Sequence, residues 1–258
     1  MNFKTIVICA LLATGTTVIV SLSGCNKVIK QDSSMRQKQA IPNNEKVETF
    51  QELGFFGAIK EDKWDDFLQA VQTNISNSRK EQGNLAFSLY QPEDSKLQPI
   101  WFERFNNKQA HNHHKEQGYF KSAITVIQKS LKGEANSITL KEVKEIPATV
   151  PILPDKPKTT RHVIVLFDVK PEKRQFFIDA MAQVAPLSRK SQGNLEFNLY
   201  QYANDINKFV LMEGWQSKAD HEAQLKQDYI KMLNNVTKGF FVTDPMDTRW
   251  LVKDISQQ

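Results

Sequence analysis

Residues 78–91 read SRKEQGNLAFSLYQ, and residues 188–201 read SRKSQGNLEFNLYQ. Eleven of the fourteen positions match at an offset of 110. The same offset extends outward without a gap. Lys60 meets Lys170, Phe67 meets Phe177, Leu68 meets Ile178, Glu103 meets Glu213, Phe105 meets Trp215 and Tyr119 meets Tyr229. Solenoid repeats run about 20–50 residues, so a period this long means a duplicated domain. Between the copies, Ile146–Thr160 carries Pro147, Pro151, Pro154 and Pro157, the composition of a semi-rigid extended spacer.

Each copy repeats one order of elements. Leu53–Lys60 and His162–Lys170 are apolar runs of strand length. A helix follows: Trp64, Phe67, Leu68, Val71 and Ile75 fall on one face of a 3.6-residue period. Phe176, Phe177, Ala180, Met181 and Val184 do likewise, and Pro186 is expected to help end that helix. Leu85, Phe87 and Leu89 then alternate with Ala86, Ser88 and Tyr90, the pattern of a half-buried strand, and Leu195, Phe197 and Leu199 repeat it. Turns at 92–96 and 203–207 lead to strands at Pro99–Phe105 and Lys208–Trp215. A second helix is expected from Lys108 to Leu131 and from Lys218 to Lys238, and a last strand at Ile138–Val143 and Thr248–Lys253.

The order β-α-β-β-α-β is ferredoxin-like, in the α+β class. A four-stranded antiparallel sheet with both helices on one face leaves its other face open. The two copies can cover each other there, as an intrachain dimeric α+β barrel, and fusion holds the partner at high effective concentration. The linker reaches about 45 Å when extended, so pairing within one chain and exchange between chains are both open.

The N-terminus has a different character. One positive charge at Lys4 precedes an apolar run from Thr5 to about Val20, followed by Leu22-Ser23-Gly24-Cys25. This is the layout of a secretory signal peptide, and its end resembles the bacterial lipobox. The expected organisation is a signal peptide at 1–24, acylation of Cys25, a flexible polar tether at 25–48, domains at 49–146 and 161–258, and a linker at 147–160. Membrane lipid is thus the expected partner of Cys25. Asn26 in place of Asp favours the outer membrane facing the periplasm, as that class of lipoprotein implies. With Cys9 in the signal and Cys25 acylated, the mature chain keeps no free thiol for a disulfide, a metal or a nucleophile. The net charge of +5 becomes +4 once Lys4 is removed, and the basic residues are interspersed with acids. Nucleic-acid binding, which needs a concentrated basic stripe, is not expected.

The run Ser-Arg-Lys-x-Gln-Gly-Asn-Leu-x-Phe-x-Leu-Tyr, followed by Glu-x-(Phe/Trp), resembles the antibiotic biosynthesis monooxygenase family, over roughly residues 53–145 and 161–253. The resemblance implies ferredoxin-like protomers paired in barrels, and cofactor-free oxidation of quinols or similar hydroxylated aromatics. It implies roles for Asn84 and Asn194, which follow Gly83 and Gly193 and serve equally as turn residues. It also implies roles for Glu103 and Glu213 in the third strand, with Arg79 or Arg189 as candidate salt-bridge partners, and for His114 in the second helix. Copy two departs from that pattern with Gln224 at the place of His114. The family's second His is replaced by Tyr119 and Tyr229. Copy one is therefore the favoured catalytic half, with Asn84, Glu103, His114 and Tyr119 as catalytic candidates. Tyr90, Trp101, Asn194, Trp215 and Tyr229 are candidates for binding substrate.

His111, His113 and His114 do not form a zinc motif, and no Cys completes a site; solvated histidines are the expectation. No P-loop, GxGxxG or GxSxG occurs, so no nucleotide, nicotinamide or flavin cofactor is expected. Two functions fit: a membrane-anchored, cofactor-independent monooxygenase, or a non-catalytic module that binds or senses a small apolar ligand in the cell envelope.

Overall fold

The computed structural model describes residues 48–154 and 156–257. The expected signal peptide, the lipidation site Cys25 and the tether as far as residue 47 lie outside the described residues. The first copy comprises β1 (Phe50–Phe55), α1 (Trp64–Ser78), β2 (Asn84–Pro92), β3 (Ile100–Phe105), α2 (Lys108–Glu116), α3 (Gly118–Ser130) and β4 (Asn136–Glu142). The second comprises β5 (Arg161–Asp168), α4 (Arg174–Arg189), β6 (Asn194–Tyr202), β7 (Lys208–Trp215), α5 (Lys218–Leu225), α6 (Asp228–Val236) and β8 (Arg249–Asp254).

The eight strands close one antiparallel barrel in the order β1-β3-β2-β8-β5-β7-β6-β4. The copies meet at two equivalent seams. At one, β2 pairs with β8, Tyr90 opposite Asp254; at the other, β4 pairs with β6, Glu142 opposite Tyr200. Closure pairs the edge strands of each four-stranded sheet, which would otherwise expose unsatisfied backbone groups. The pairing is made within the chain.

Closure also corrects the half-buried reading of β6, buried on both faces over residues 195–200; in β2 Ala86 and Ser88 keep partial exposure beside the buried Phe87 and Leu89. One face of each strand packs under helices; the other lines the barrel. Leu53, Tyr90, Phe102, Ile164, Tyr200 and Met212 from both copies share that interior. Under the helices of copy one lie Phe67, Val71, Ile75, Phe87 and Leu89; Phe177, Met181, Phe197, Leu199 and Phe209 do the same in copy two. Each such side chain contributes about 1.5–3 kcal/mol by leaving water.

Other expectations need correction. The long second helix is two helices in each copy. Gln117 and Gln227 adopt extended backbone, ψ 145 and 142, and their side-chain amides bond back to His113 and Ala223 carbonyls. Pro186 does not end α4, which runs on to Arg189. Proline removes one donor, here the N–H that would reach the Ala182 carbonyl, and packing of Val184, Ala185 and Ser188 carries the helix past that loss. β1 begins at Phe50 and stops before Gly57, whose φ of 68 turns the chain out of the sheet.

The repeat is not fully in step at 110. Leu53 faces Phe102 while Ile164 faces Met212, so β1 and β5 correspond one residue out of step. The linker is docked rather than free. Arg104 donates to the Thr149 carbonyl at 3.1 Å, Asn198 exchanges hydrogen bonds with Thr149, and Arg189 donates to the Pro147 carbonyl at 3.0 Å.

Candidate functional site

The helix break shapes the first cluster. It ends α2 just after His114 and starts α3 just before Tyr119, so both side chains reach one acceptor. His114 Nδ1 lies 2.7 Å from Glu81 Oε1, and the Tyr119 hydroxyl donates to the same oxygen at 2.5 Å. A carboxylate accepts from both, so His114 carries a proton on Nδ1. Its Nε2 is buried without a partner, walled by Phe87, Phe105 and Phe120. Burial and the bond to Glu81 raise the Tyr119 phenol above its ordinary value.

A second cluster lies beside it on the same sheet face. Glu103 faces Glu52 across β1–β3, and burial pushes its carboxyl up to about 7. The group 3.3 Å from its Oε1 is His111 Nε2, not Arg79. Arg79 instead ties α1 to β2 by donating to the Phe87 carbonyl, as Arg189 does to the Phe197 carbonyl. His111 stacks on Phe50 with ring centroids 3.9 Å apart. Burial, then Lys108, drive its imidazole down to about 3. Lys108 donates to Nδ1, so the neutral ring offers Nε2–H to Glu103. His111 and His114 are thus buried, not solvated; only His113 is exposed. They address two different acids.

Copy two keeps the geometry with neutral groups. Ser191, Gln224 and Tyr229 replace Glu81, His114 and Tyr119. Tyr229 donates to Gln224 Oε1 at 2.7 Å, Ser191 donates to Tyr229 at 2.8 Å, and Gln224 Nε2 donates to Ser188 at 2.7 Å. Glu213 and His221 correspond to Glu103 and His111. Burial raises Glu213 to about 7, while the Trp215 indole N–H donates to it at 3.1 Å. His221 is held down to about 4 by burial and by Arg161 and Arg249.

Here a cavity of about 790 Å³ opens between sheet and helices. Val165, Phe167, Phe177, Met181, Phe197 and Leu211 form its apolar wall; Glu213, His221, Gln224 and Arg249 are its polar groups. Glu213 is partly exposed, and it faces the cavity. In copy one the matching wall differs. The indole of Trp101 lies against Gly54, at the places where copy two has Leu211 and Val165. This cavity is in the half that sequence did not favour.

The other candidates disperse. Tyr90 points into the barrel, opposite in direction to Glu103, His114 and Tyr119, so the six groups of copy one do not converge on one cavity. Asn84 Nδ2 donates to Ser78 at 3.1 Å, and Asn194 Nδ2 to the Glu196 carbonyl at 3.0 Å; each secures a bulge at the start of its strand. Trp215 is fully buried and reaches the cavity only through Glu213. Sequence reasoning missed Glu81, Arg249 and the barrel-facing Glu196. Glu81 had a signal: it and His114 both change in copy two, to Ser191 and Gln224, within otherwise matching surroundings.

The chain is a closed α+β barrel of two ferredoxin-like halves, with an apolar cavity under one sheet that reaches the carboxyl of Glu213. The model of the antibiotic biosynthesis monooxygenase family matches residues 54–126 and 160–234, and the chain belongs to that family. Over 51 residues it is 35% identical to "Putative monooxygenase YcnE" of Bacillus subtilis. That match spans 20% of this chain and 54% of the relative, so the chain covers about half of that protein's length. Two solved structures, each described as a "putative monooxygenase", share the fold. The one from Fusobacterium nucleatum superposes with a TM-score of 0.74 at 19% identity, covering 81% of this chain and 93% of its own. The one from Lactobacillus acidophilus gives 0.71 at 15% identity, covering 81% and 94%.

Proposed function

We propose that the chain is a cofactor-independent monooxygenase acting on a quinol or similar hydroxylated aromatic, and that the reaction occurs in the cavity of copy two. The carrying observation is that cavity: apolar walls roomy enough for fused rings, with Glu213 balanced between acid and base near neutrality. Glu213 takes the phenolic proton, and Arg249 stabilises the resulting anion. The electron-rich ring reduces O₂ and forms a C–O bond. The O–O bond then breaks, one oxygen stays on the ring and the other leaves as water. For a quinol the balance is quinol plus O₂ giving hydroxyquinone plus water, with all four electrons drawn from the substrate.

A second reading has its own support. Ser191, Gln224 and Tyr229 satisfy one another beside the cavity and present no acid–base pair like Glu81–His114. That favours binding without turnover. The variant Glu213→Gln separates the two. Monooxygenation requires loss of oxygen uptake with ligand affinity retained; unchanged uptake removes Glu213 as the base, and tight binding without uptake in the unaltered chain establishes the binding module.

The same proposal includes the anchor. The lipobox-like Leu22-Ser23-Gly24-Cys25 supports acylation and residence in the cell envelope, at the outer membrane facing the periplasm. Among the described residues no helix is long and apolar enough to cross a membrane.

A further inference from the structure

Duplication supplies an internal control for the outer surface. Both copies carry the same order of helices over the same sheet, although α6 ends at Val236, four residues before the place that matches the end of α3. Yet copy two exposes Phe176, Leu225, Met232, Val236, Val242 and Met246, each between 47% and 60% exposed. At the repeat offset, the counterparts of Phe176, Leu225, Met232 and Val242 are Asp66, Lys115, Ser122 and Lys132, all exposed and polar. At those four positions the polar version builds the same fold, so packing does not require the apolar one; Val236 instead matches Val126, a partly buried valine. Monomeric surfaces seldom carry a large contiguous apolar patch without an interaction to explain it.

The residues form one surface around α6. Met232 and Val236, at i and i+4, lie on one side of that helix and share a groove with Phe176 of α4. Leu225, Val242 and Met246 line the mouth of the copy-two cavity on the other side, and Leu233 lines both. The two apolar sides meet beneath α6 at the partly buried Leu233, while the exposed crest between them carries Lys231, Asn234, Asn235 and Lys238. Lys173 lies over the rings of Phe176 and Phe240, at 5.8 and 5.6 Å, its charge free to reach outward from an apolar surface.

We propose that this face of α6 and the cavity rim rests on a lipid surface, so that a membrane-dissolved hydroxylated aromatic enters the cavity without crossing water. This deepens the functional proposal above and rests on it. The argument for lipid is the chain that precedes β1. Residues 25–47 span at most about 80 Å when extended and end at Cys25. A barrel tethered at that range meets the bilayer at high effective concentration, so a patch of six side chains need bind only weakly.

The test uses the full lipid-bearing chain, whose thiols are otherwise absent or blocked, spin-labelled at Met232→Cys. Ser122→Cys, the equivalent site in copy one, is the control, and Val242→Cys is a second probe on the rim. The chains are reconstituted in vesicles of phosphatidylethanolamine and phosphatidylglycerol. Collision with dissolved oxygen is compared with collision with an aqueous nickel chelate. The expected result is a severalfold rise of the oxygen-to-nickel ratio at 232 and 242 and none at 122. Equal, water-like ratios at all three sites overturn the proposal. So does shielding at 232 that comes with dipolar broadening between labels, since a second copy of the chain then covers the face. No turnover is read, so failure of the oxygenase chemistry leaves this result intact, and failure here leaves that chemistry standing.

Discussion

Gly54→Val tests whether the two halves diverged by a coupled exchange under the sheet. A Cβ at Gly54 would lie 2.0 Å from Trp101 Cζ2 and 2.1 Å from two further ring atoms, inside the indole. In copy two, Val165 occupies that place opposite Leu211. Strand propensity alone favours Val over Gly by up to about 1 kcal/mol, so the sign of the effect is decisive. Overpacking costs about 1–3 kcal/mol. This overlap belongs at the upper end, because the ring is held against Phe56 with centroids 4.4 Å apart. Trp101→Leu alone forfeits burial and leaves a void, at about 2–3 kcal/mol. Gly54→Val with Trp101→Leu recreates the copy-two pair, so the double variant should recover about 2 kcal/mol relative to the sum. Urea denaturation of all four proteins measures the cycle. Additive costs, or a Gly54→Val protein as stable as the parent, would refute the coupling.

Glu196 lies inside the barrel, with Asn198 donating to it at 2.9 Å and with Arg104, Arg189 and Asp254 as its charged neighbours; burial raises it to about 7. Between about 4.5, its unfolded value, and 7 the folded state binds the extra proton, so stability falls as pH rises through that window. Glu196→Gln should flatten the fall by at most about 3 kcal/mol, read from denaturation midpoints at pH 5 and pH 8. Glu81→Ala strands the His114 and Tyr119 donors and should cost about 2–3 kcal/mol; Glu81→Ser with His114→Gln, which imports the copy-two network, should cost less than Glu81→Ala. Pro186→Ala restores a helical donor and should raise stability by about 1 kcal/mol, visible as a higher Tm. Cys25→Ala should move the protein from the membrane fraction to the soluble fraction of cells and abolish labelling by radioactive palmitate.

The fold was legible because duplication let each copy check the other's periodicity, and the two-fold arrangement of ferredoxin-like halves followed from the open sheet face. Three features were not. The break at Gln117 and Gln227 carries no Pro and hardly disturbs the 3.6-residue pattern; it is accompanied by side-chain bonds back to the preceding turn. The slip between β1 and β5 is absorbed in the loop before the helix, where the matching Lys60 and Lys170 hide it. Burial of His111 and His114 depends on acids supplied by distant segments, Glu103 and Glu81. The site was half legible. Glu103, Glu213, His114 and Tyr119 all belong to sheet-and-helix clusters, but strand parity, read strictly, already sent Tyr90 to the other face from Phe87 and Leu89. The wall under the sheet differs at Gly54–Trp101 against Val165–Leu211, a difference in volume that residue chemistry does not announce.

Oxygenation of a hydroxylated aromatic in the copy-two cavity, with no added cofactor, is open to direct measurement. The mature chain is given a panel of reduced benzo- and naphthoquinols under ¹⁸O₂, free of flavin and metal, and product mass is read. The expected result is a product carrying one ¹⁸O atom, formed by the parent and by His114→Ala and lost in Glu213→Gln. Product that survives Glu213→Gln but vanishes in His114→Ala would contradict it and place the chemistry in copy one; no labelled product from any quinol, with one of them tightly bound, would contradict the oxygenase itself.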